Sequence, residues 1–463
     1  MNLLDKNSTI LVVGLGSRSG LSAANFLAAK GYNVYSSDIK HKNDLKEITE
    51  KLSSRVTVFY GNQNSDILNL GFDLIVLSPG VPKSIPLIKE AYRRNIPVIA
   101  EIELAYDFIK GKIIAITGTD GKSTTVSLVY HILKSIGIKS FLGGNIGIPL
   151  ISLVEKTDDD SVTVVELSSF QLETINKFKP DVASILNITP DHLDRYDGMN
   201  DYFLTKSRIT LNLAEDDFFV YNKDDKIICS GLQKNKAKKL SFSLEDRGSN
   251  AFFSEGNIFL NNQSEKNIIL NSSRMQLIGI HNIQNTMAAL LIVTSILEKM
   301  DVPTDLKEIV NACYSFKGLP HRMEWVGEFE GRSFINDSKA TTIGAVEMAL
   351  ESIQKKGILI LGGRTKGDNY RRLINCFNKK IRSLILIGES SYEFQEIFKD
   401  FPNSIADSLD DAIKKGMGES KDGDVILLSP GCASFDMFKN FEERGELFKK
   451  SFEKLGRGEL SWR

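Results

Sequence analysis

An apolar, β-rich run, Lys112-Ile113-Ile114-Ala115-Ile116, passes directly into Thr117-Gly118-Thr119-Asp120-Gly121-Lys122-Ser123-Thr124, and a helix-like segment over 123–138 follows. Strand, glycine loop, Lys-Ser and helix in immediate succession leave few folds open. The amides of such a loop and the helix N-terminus hold phosphate oxygens. The lysine neutralises them, and the hydroxyl after it can bind Mg²⁺. Gly118, Thr119, Gly121, Lys122, Ser123 and Thr124 are therefore candidate nucleotide-binding residues. The loop is shorter than the usual form, since a full Walker loop needs Gly at 116 and this chain has Ile.

The same alternation recurs along the chain. Thr9–Val13, Asn33–Ser37 and Asp73–Leu77 read as strands, with a helical pattern from Leu21 to Lys30. Further strands are predicted over 161–166, 181–187, 334–335, 357–361, 383–387 and 425–429, and a helix over His281–Glu298. Residues 222–275, rich in Asn, Ser and Lys, read as small antiparallel strands and loops. Alternating strands and helices predict an α/β fold with mostly parallel sheets, covered on both faces. At 463 residues the chain is too long for one core, so several domains are expected.

A net charge of −1, from 58 basic and 59 acidic residues, argues against a general attraction to nucleic acid or anionic membrane. The basic run at 234–239 reads as a solvated loop. Four scattered cysteines without a Cys-x-x-Cys pair suit a reducing compartment and speak against a disulfide framework or zinc site. The N-terminus lacks the pattern of a signal peptide, and no apolar run is read as long enough to span a bilayer. A cytoplasmic protein is the expectation.

Several side chains stand where chemistry is done, at the carboxyl ends of strands. The Gly14/Gly16/Gly20 loop with Asp38 is close to a dinucleotide fingerprint but one residue too long. It leaves NAD, another nucleotide or none open. Glu166 ends a buried strand beside the phosphate loop and is a candidate Mg²⁺ ligand. His192, one of five histidines, follows the next strand among acids, which suits a ligand, a proton-transfer group or a structural side chain. Lys206 lies in an amphipathic pattern and by spacing alone is a solvated lysine. Asn282 and Asn285 share a helix face and could cap backbone or meet a base edge. Arg322 and Lys339, near Asp337, are candidates for the γ-phosphate and its transition-state charge, or for surface ion pairs.

Taken in order, TGTDGKST at 117–124, GGNIG at 143–147, ELSSFQLE at 166–173, NITPDHLDRY at 187–196, HNIQN at 281–285, GLPHRME at 318–324, NDSKAT at 336–341 and LLSPGCASFDMFKNFEERG at 427–445 resemble the Mur ligases. These are the ATP-dependent amide ligases of peptidoglycan precursor synthesis. Sister ligases and folylpolyglutamate synthases share the phosphate loop. The strings at 336–341 and 427–445 resemble those of the members that add D-glutamate to UDP-N-acetylmuramoyl-L-alanine.

The resemblance implies three domains: a Rossmann-like domain for the UDP substrate over 1–100, a central P-loop ATPase domain with a mostly parallel sheet over 101–317, and a Rossmann-like amino-acid-binding domain over 318–463. It turns the first glycine loop into a uridine-nucleotide site. It implies ATP and two Mg²⁺ ions, with Ser123, Glu166 and His192 as ligands, and a carbamylated Lys206 as a further one. Lys122, Glu166, His192, Lys206 and Lys339 become the catalytic set. Asn282, Asn285, Arg322 and Asp337 become nucleotide contacts. Ser19, Asp38, Ser78, Asn145, Ser168 and His192 fall on the UDP-substrate side. Lys339, Thr341, Lys366, Ser434 and Phe441 fall on the D-glutamate side. A monomer without nucleic-acid or membrane partners is implied. Two departures stand out: Asp120 where the family commonly has Asn, and Ile39 after Asp38 where a uracil-binding hydroxyl can occur.

Overall fold

Five short strands build the first sheet: β1 (Thr9–Val13), β2 (Asn33–Asp38), β3 (Thr57–Tyr60), β4 (Leu74–Leu77) and β5 (Val98–Ala100). They lie in the order β3-β2-β1-β4-β5 and every pairing is parallel. Ile10 and Val12 face one core, Leu11 and Val13 the other. Side chains alternate across a strand, so a parallel sheet buried on both faces needs continuous apolar runs rather than alternating ones. The computed structural model describes residues 5, 7–61, 63–192, 195–231, 236–262, 265–303, 305–365, 367 and 369–462.

The second sheet comprises β6 (Lys112–Thr117), β7 (Ser140–Gly144), β8 (Val162–Glu166), β9 (Val182–Ile185), β10 (Phe218–Asn222), β11 (Lys238–Ser243), β12 (Ala251–Ser254), β13 (Asn257–Asn262) and β14 (Glu265–Asn271). Its order is β14-β13-β12-β11-β10-β9-β6-β8-β7. Only β12-β13-β14 is antiparallel. This corrects the reading of 222–275 as antiparallel throughout, because β11 runs parallel to both β10 and β12. The short helix Lys226–Ser230, capped by Asp225, separates β10 from β11, so their connection is a crossover rather than a hairpin. Of the basic run, residues 234–235 lie outside the described residues; Lys238 and Lys239 are solvent-exposed as expected but open β11 rather than lying in a loop, and Lys238 pairs with Glu298 at 2.7 Å.

The third sheet holds β15 (Glu324–Phe329), β16 (Arg332–Asn336), β17 (Gly357–Gly362), β18 (Ile381–Ile387), β19 (Asn403–Ala406) and β20 (Val425–Leu428), in the order β15-β16-β20-β17-β18-β19. All pairings are parallel except β15 with β16. Leu359 and Leu361 enter one core while Ile358 and Ile360 enter the opposite one.

Two compact units result: Met1–Ser273 with Gln284–Cys313, and Arg274–Ile283 with Tyr314–Arg463. The first two sheets share the first unit and one apolar core. Leu27 of helix Ser19–Ala29, Ile102 and Leu104 of helix Glu101–Tyr106, and Leu150 and Leu153 of the 3₁₀ segment Leu150–Lys156 all belong to it. The helix Ile280–Lys299 is long and apolar enough to cross a bilayer by composition, which corrects the reading that no run is; 72% of its apolar window is buried in the protein.

Candidate active site

In the first unit the loop between β6 and the helix Lys122–Ser135 has the geometry of a phosphate cradle. Gly118 (φ 153°) and Gly121 (φ 77°) both adopt backbone that side-chain-bearing residues avoid. A Cβ on Gly121 would lie 2.3 Å from Asn285 Oδ1, so the asparagine is packed directly on the loop. Asn187, just past β9, braces the loop from the other side. Its Oδ1 accepts from the amides of Thr119 (3.1 Å) and Asp120 (2.8 Å), and its Nδ2 donates to the Asp120 carbonyl at 3.1 Å. The Asp120 carboxylate accepts from Thr189 Oγ1 at 3.1 Å. The unusual acid is thus tied to the loop after β9.

Lys122 folds back onto its own loop, donating to the carbonyls of Gly118 (3.0 Å) and Thr119 (2.6 Å). Ser123 and Thr124 open the helix and are buried. Lys206, on helix Gly198–Ser207, also reaches the Gly118 carbonyl, at 2.7 Å, with its Nζ 4.7 Å from the centroid of the Tyr202 ring. It is 1% exposed, which corrects the spacing-based reading of a solvated lysine. Burial, assisted by the charge of Lys122, pushes its ammonium down to about 7. Glu166 ends β8 and is 2% exposed. Asn145 donates to its Oε1 at 2.7 Å, and its Oε2 is buried without a hydrogen-bond partner.

His192 sits exposed on the loop after β9 with a left-handed backbone (φ 53°). Its Nε2 is 3.4 Å from Asp191 Oδ2, and its ring is 4.8 Å from that of Phe170. Phe170 in turn carries the Arg195 guanidinium at 4.1 Å, and Arg195 pairs with Glu173 through two 3.0 Å bonds. Ser168 is the N-cap of helix Ser169–Leu172 and forms a capping box with Gln171.

The first glycine loop is braced rather than open. Asp38 accepts from the amides of Leu15 (2.9 Å) and Lys40 (3.0 Å), and Ser78 Oγ donates to the Gly14 carbonyl at 2.5 Å. Ser19 opens the helix behind it. Arg18 donates to the carbonyls of Gly147 (2.8 Å) and Asn145 (3.3 Å). The Gly14–Gly20 loop and the Asn145 loop are therefore brought together, with Glu166 behind the latter.

In the second unit Asp337 follows β16. Its carboxylate accepts from the Met323 amide (3.2 Å) and Ser429 Oγ (2.9 Å), and burial pushes it up to about 7, with Arg322 opposing. Lys339 is exposed, its Nζ 4.1 Å from the centroid of the Phe441 ring, and Thr341 lies on the same turn. Ser434, in the loop after β20, is buried. Asn282 Nδ2 donates to the Ile278 carbonyl at 2.7 Å, an engagement with local backbone. Lys366 lies outside the described residues.

Sequence reasoning assigned no part to Asn187, Arg18 as a bridge, or Arg444, whose buried guanidinium binds the turn after β16. Asn187 carried one signal, its place at a strand end beside the phosphate loop.

Comparisons with known proteins show the family. Family models described as Mur ligase MurD-like N-terminal domain, Mur ligase middle domain, and Mur ligase glutamate ligase domain match residues 8–100, 116–293 and 321–432. The UDP-N-acetylmuramoylalanine–D-glutamate ligase of Thermoanaerobacter sp. (strain X514) is 39% identical over 98% of this chain and 99% of its own length. That of Geobacter sp. (strain M21) is 40% identical over 98% and 99%. Among solved structures, UDP-N-acetylmuramate-alanine ligase MurC from Thermotoga maritima aligns with a TM-score of 0.57 at 18% identity, covering 96% of this chain and 99% of that one. MurF ligase from the same organism, in complex with ADP, gives 0.58 at 17% identity over 91% and 95%. Those two likenesses show the fold. With three domain models matched in order and full-length relatives at this identity, the chain belongs to the Mur ligase family, among its UDP-N-acetylmuramoylalanine–D-glutamate ligases.

Proposed function

We propose that this chain joins D-glutamate to the L-alanine carboxylate of UDP-N-acetylmuramoyl-L-alanine in the cytoplasm, converting ATP to ADP and phosphate. The observation that carries the reading is the convergence of Lys122, Lys206 and the Gly118–Gly121 cradle at one strand end, with Glu166 on the neighbouring strand β8. In this reading domains at 1–100, 101–317 and 318–463 hold the UDP substrate, ATP and the amino acid respectively.

A carboxylate carbon is a poor electrophile, and its charge repels the γ-phosphate. Lys122 turns from its own loop carbonyls to the phosphates and offsets that repulsion. The alanyl carboxylate oxygen attacks the γ-phosphorus and ADP leaves, giving an acyl phosphate. The D-glutamate amine then attacks the carbonyl carbon, loses a proton, and phosphate departs. Lys339, Thr341, Lys366, Ser434 and Phe441 hold the amino acid; Asn282, Asn285, Arg322 and Asp337 hold the nucleotide. Ser19, Asp38, Ser78, Asn145 and Ser168 hold the UDP substrate, and positioning supplies much of the rate.

Mg²⁺, when bound, offsets charge on the phosphates and the carboxylate. The residues fit it: Glu166 Oε2 is a buried oxygen in want of a partner, and Ser123 adds a hydroxyl at the helix start. Among the described residues no cluster of three His, Cys, Asp or Glu forms a protein-only cage. Phosphate oxygens, His192 and Lys206 complete the two sites in this reading. Lys206, with its proton held weakly, is suited to add to CO₂; its nitrogen gains the carbon, loses a proton and becomes a carbamate with oxygen donors.

The test uses UDP-N-acetylmuramoyl-L-alanine with ¹⁸O in the alanyl carboxylate. Product heavier by one glutamyl residue together with ¹⁸O in the released phosphate is expected. Product without ¹⁸O transfer would overturn the acyl-phosphate step, and no product with D-glutamate would overturn the substrate assignment.

A further inference from the structure

Arg444 is among the largest fully buried side chains, 1% exposed. Among the described residues its guanidinium donates only to hydroxyl and carbonyl oxygen. Nε donates to Ser338 Oγ at 3.0 Å, Nη2 to the Ser338 carbonyl at 2.8 Å and to the Cys432 carbonyl at 3.2 Å, and Nη1 to the Cys432 carbonyl at 3.2 Å. Among the described residues no Asp or Glu forms an ion pair with it; Asp436 acts on it only as a more distant charge. The Cys432 thiol is pushed up by burial and stays neutral. Burial lowers the guanidinium only to about 10, so it remains charged near neutral pH.

A desolvated cation without a carboxylate is costly, and a well-packed apolar side chain would fill the same space more cheaply. Its placement supplies a reason for keeping it. Ser338 lies between Asp337 and Lys339, and its Oγ donates onward to the Phe441 carbonyl at 2.8 Å. Cys432 lies two residues before Ser434. One planar fork thus ties the turn after β16 to the loop after β20, two adjacent strands whose carboxyl ends pair at Asn336 and Leu428. In open α/β sheets the binding crevice lies at those ends. A guanidinium holds such a spacing because its donors are rigid, whereas an ammonium is a flexible point charge.

We propose that Arg444 is a positioning residue for the incoming amino acid: it sets the spacing of Lys339 and Ser434 and places an unpaired positive charge behind them, favouring a ligand with two carboxylates. This rests on the D-glutamate reading above. The function of the fork and that of the charge are separable, since R444K keeps the charge and loses the fork, and R444M loses both.

The experiment measures phosphate release for the unmodified full-length protein, R444K and R444M, with KM determined for D-glutamate, ATP and the UDP substrate, and thermal midpoints alongside. The unmodified protein must require D-glutamate; if it does not, the ligase reading fails and this proposal with it. R444K is expected to raise KM for D-glutamate about 10-fold and R444M about 100-fold, with KM for ATP changed less than about 2-fold. Equal changes in all three KM values, or a lowered thermal midpoint with unchanged KM, would reduce Arg444 to a packing residue and overturn the proposal. Should R444M not fold, the KM split of R444K decides alone.

Discussion

Lys206 in the first unit and Arg444 in the second are each 1% exposed, each donates to backbone carbonyl oxygen, and neither forms an ion pair among the described residues. Their fates differ. Burial and the nearby Lys122 bring Lys206 down to about 7, while burial brings Arg444 only to about 10. The ammonium concentrates its charge on one nitrogen and sheds a proton when desolvated; the delocalised guanidinium does not. The same depth of burial therefore yields a readily deprotonated amine beside the glycine loop after β6 and a retained charge between the turn after β16 and the loop after β20. Two buried acids follow the lysine's path. Glu101 and Asp337 are pushed up to about 7 by burial, so they too escape the cost by becoming neutral.

The hardest blow to this contrast is struck at Lys206. Lys206→Ala and Lys206→Arg should both lower kcat by about 10³-fold, roughly 4 kcal/mol, with an unchanged circular dichroism spectrum. An active Lys206→Arg variant would show that charge, rather than a neutral amine, is what the site uses. Glu101 sharpens the contrast through stability. Its Oε1 accepts from the Ile151 amide at 2.7 Å, and its Oε2 is buried without a partner. Because its folded value of about 7 lies above the ordinary 4.5, its contribution is fully present below 4.5 and is lost as pH rises through 7. Urea midpoints should fall across that window. Glu101→Gln should remove a pH-dependent component of up to about 3 kcal/mol, and an unaltered pH profile would refute the assignment.

Asn187→Ala tests whether a neutral brace matters as much as a charged one. It leaves the Asp120 amide without its acceptor and the Thr119 amide with only the backbone carbonyl of residue 187, and KM for ATP should rise about 10- to 30-fold, or about 2 kcal/mol. An unchanged KM would mean the loop holds its shape alone. The smallest effect is expected at Ser434→Ala, a rise in KM for D-glutamate of about 5-fold, larger than that for ATP. The reverse pattern would misplace the amino-acid pocket.

Contiguity explains what was legible beforehand. The phosphate loop reads directly because glycines, Lys-Ser and helix are neighbours in the chain, and Glu166 reads because a buried apolar run delivers it. The strand β4 is a continuous apolar stretch, and β1, β8 and β17 are built around runs of Val, Ile and Leu. The short strands β3, β5 and β19 went unread, since each is three or four residues long and mostly half-buried, without a clear period. The burial of Lys206 depends on which face of its helix meets the phosphate loop, and nothing in the pattern of 198–207 announces that choice; only the family resemblance pointed to it. Arg444 was hidden similarly, within a Glu-Glu-Arg-Gly run that reads as a solvated helix start.

The most direct measurement is phosphate release with ATP and Mg²⁺, supplying UDP-N-acetylmuramoyl-L-alanine and D-glutamate separately and together, with L-glutamate as control. The account predicts release only when both substrates are present, and with D-glutamate but not L-glutamate. Release with another amino acid would contradict the substrate assignment, and no release from folded protein would contradict the ligase reading itself.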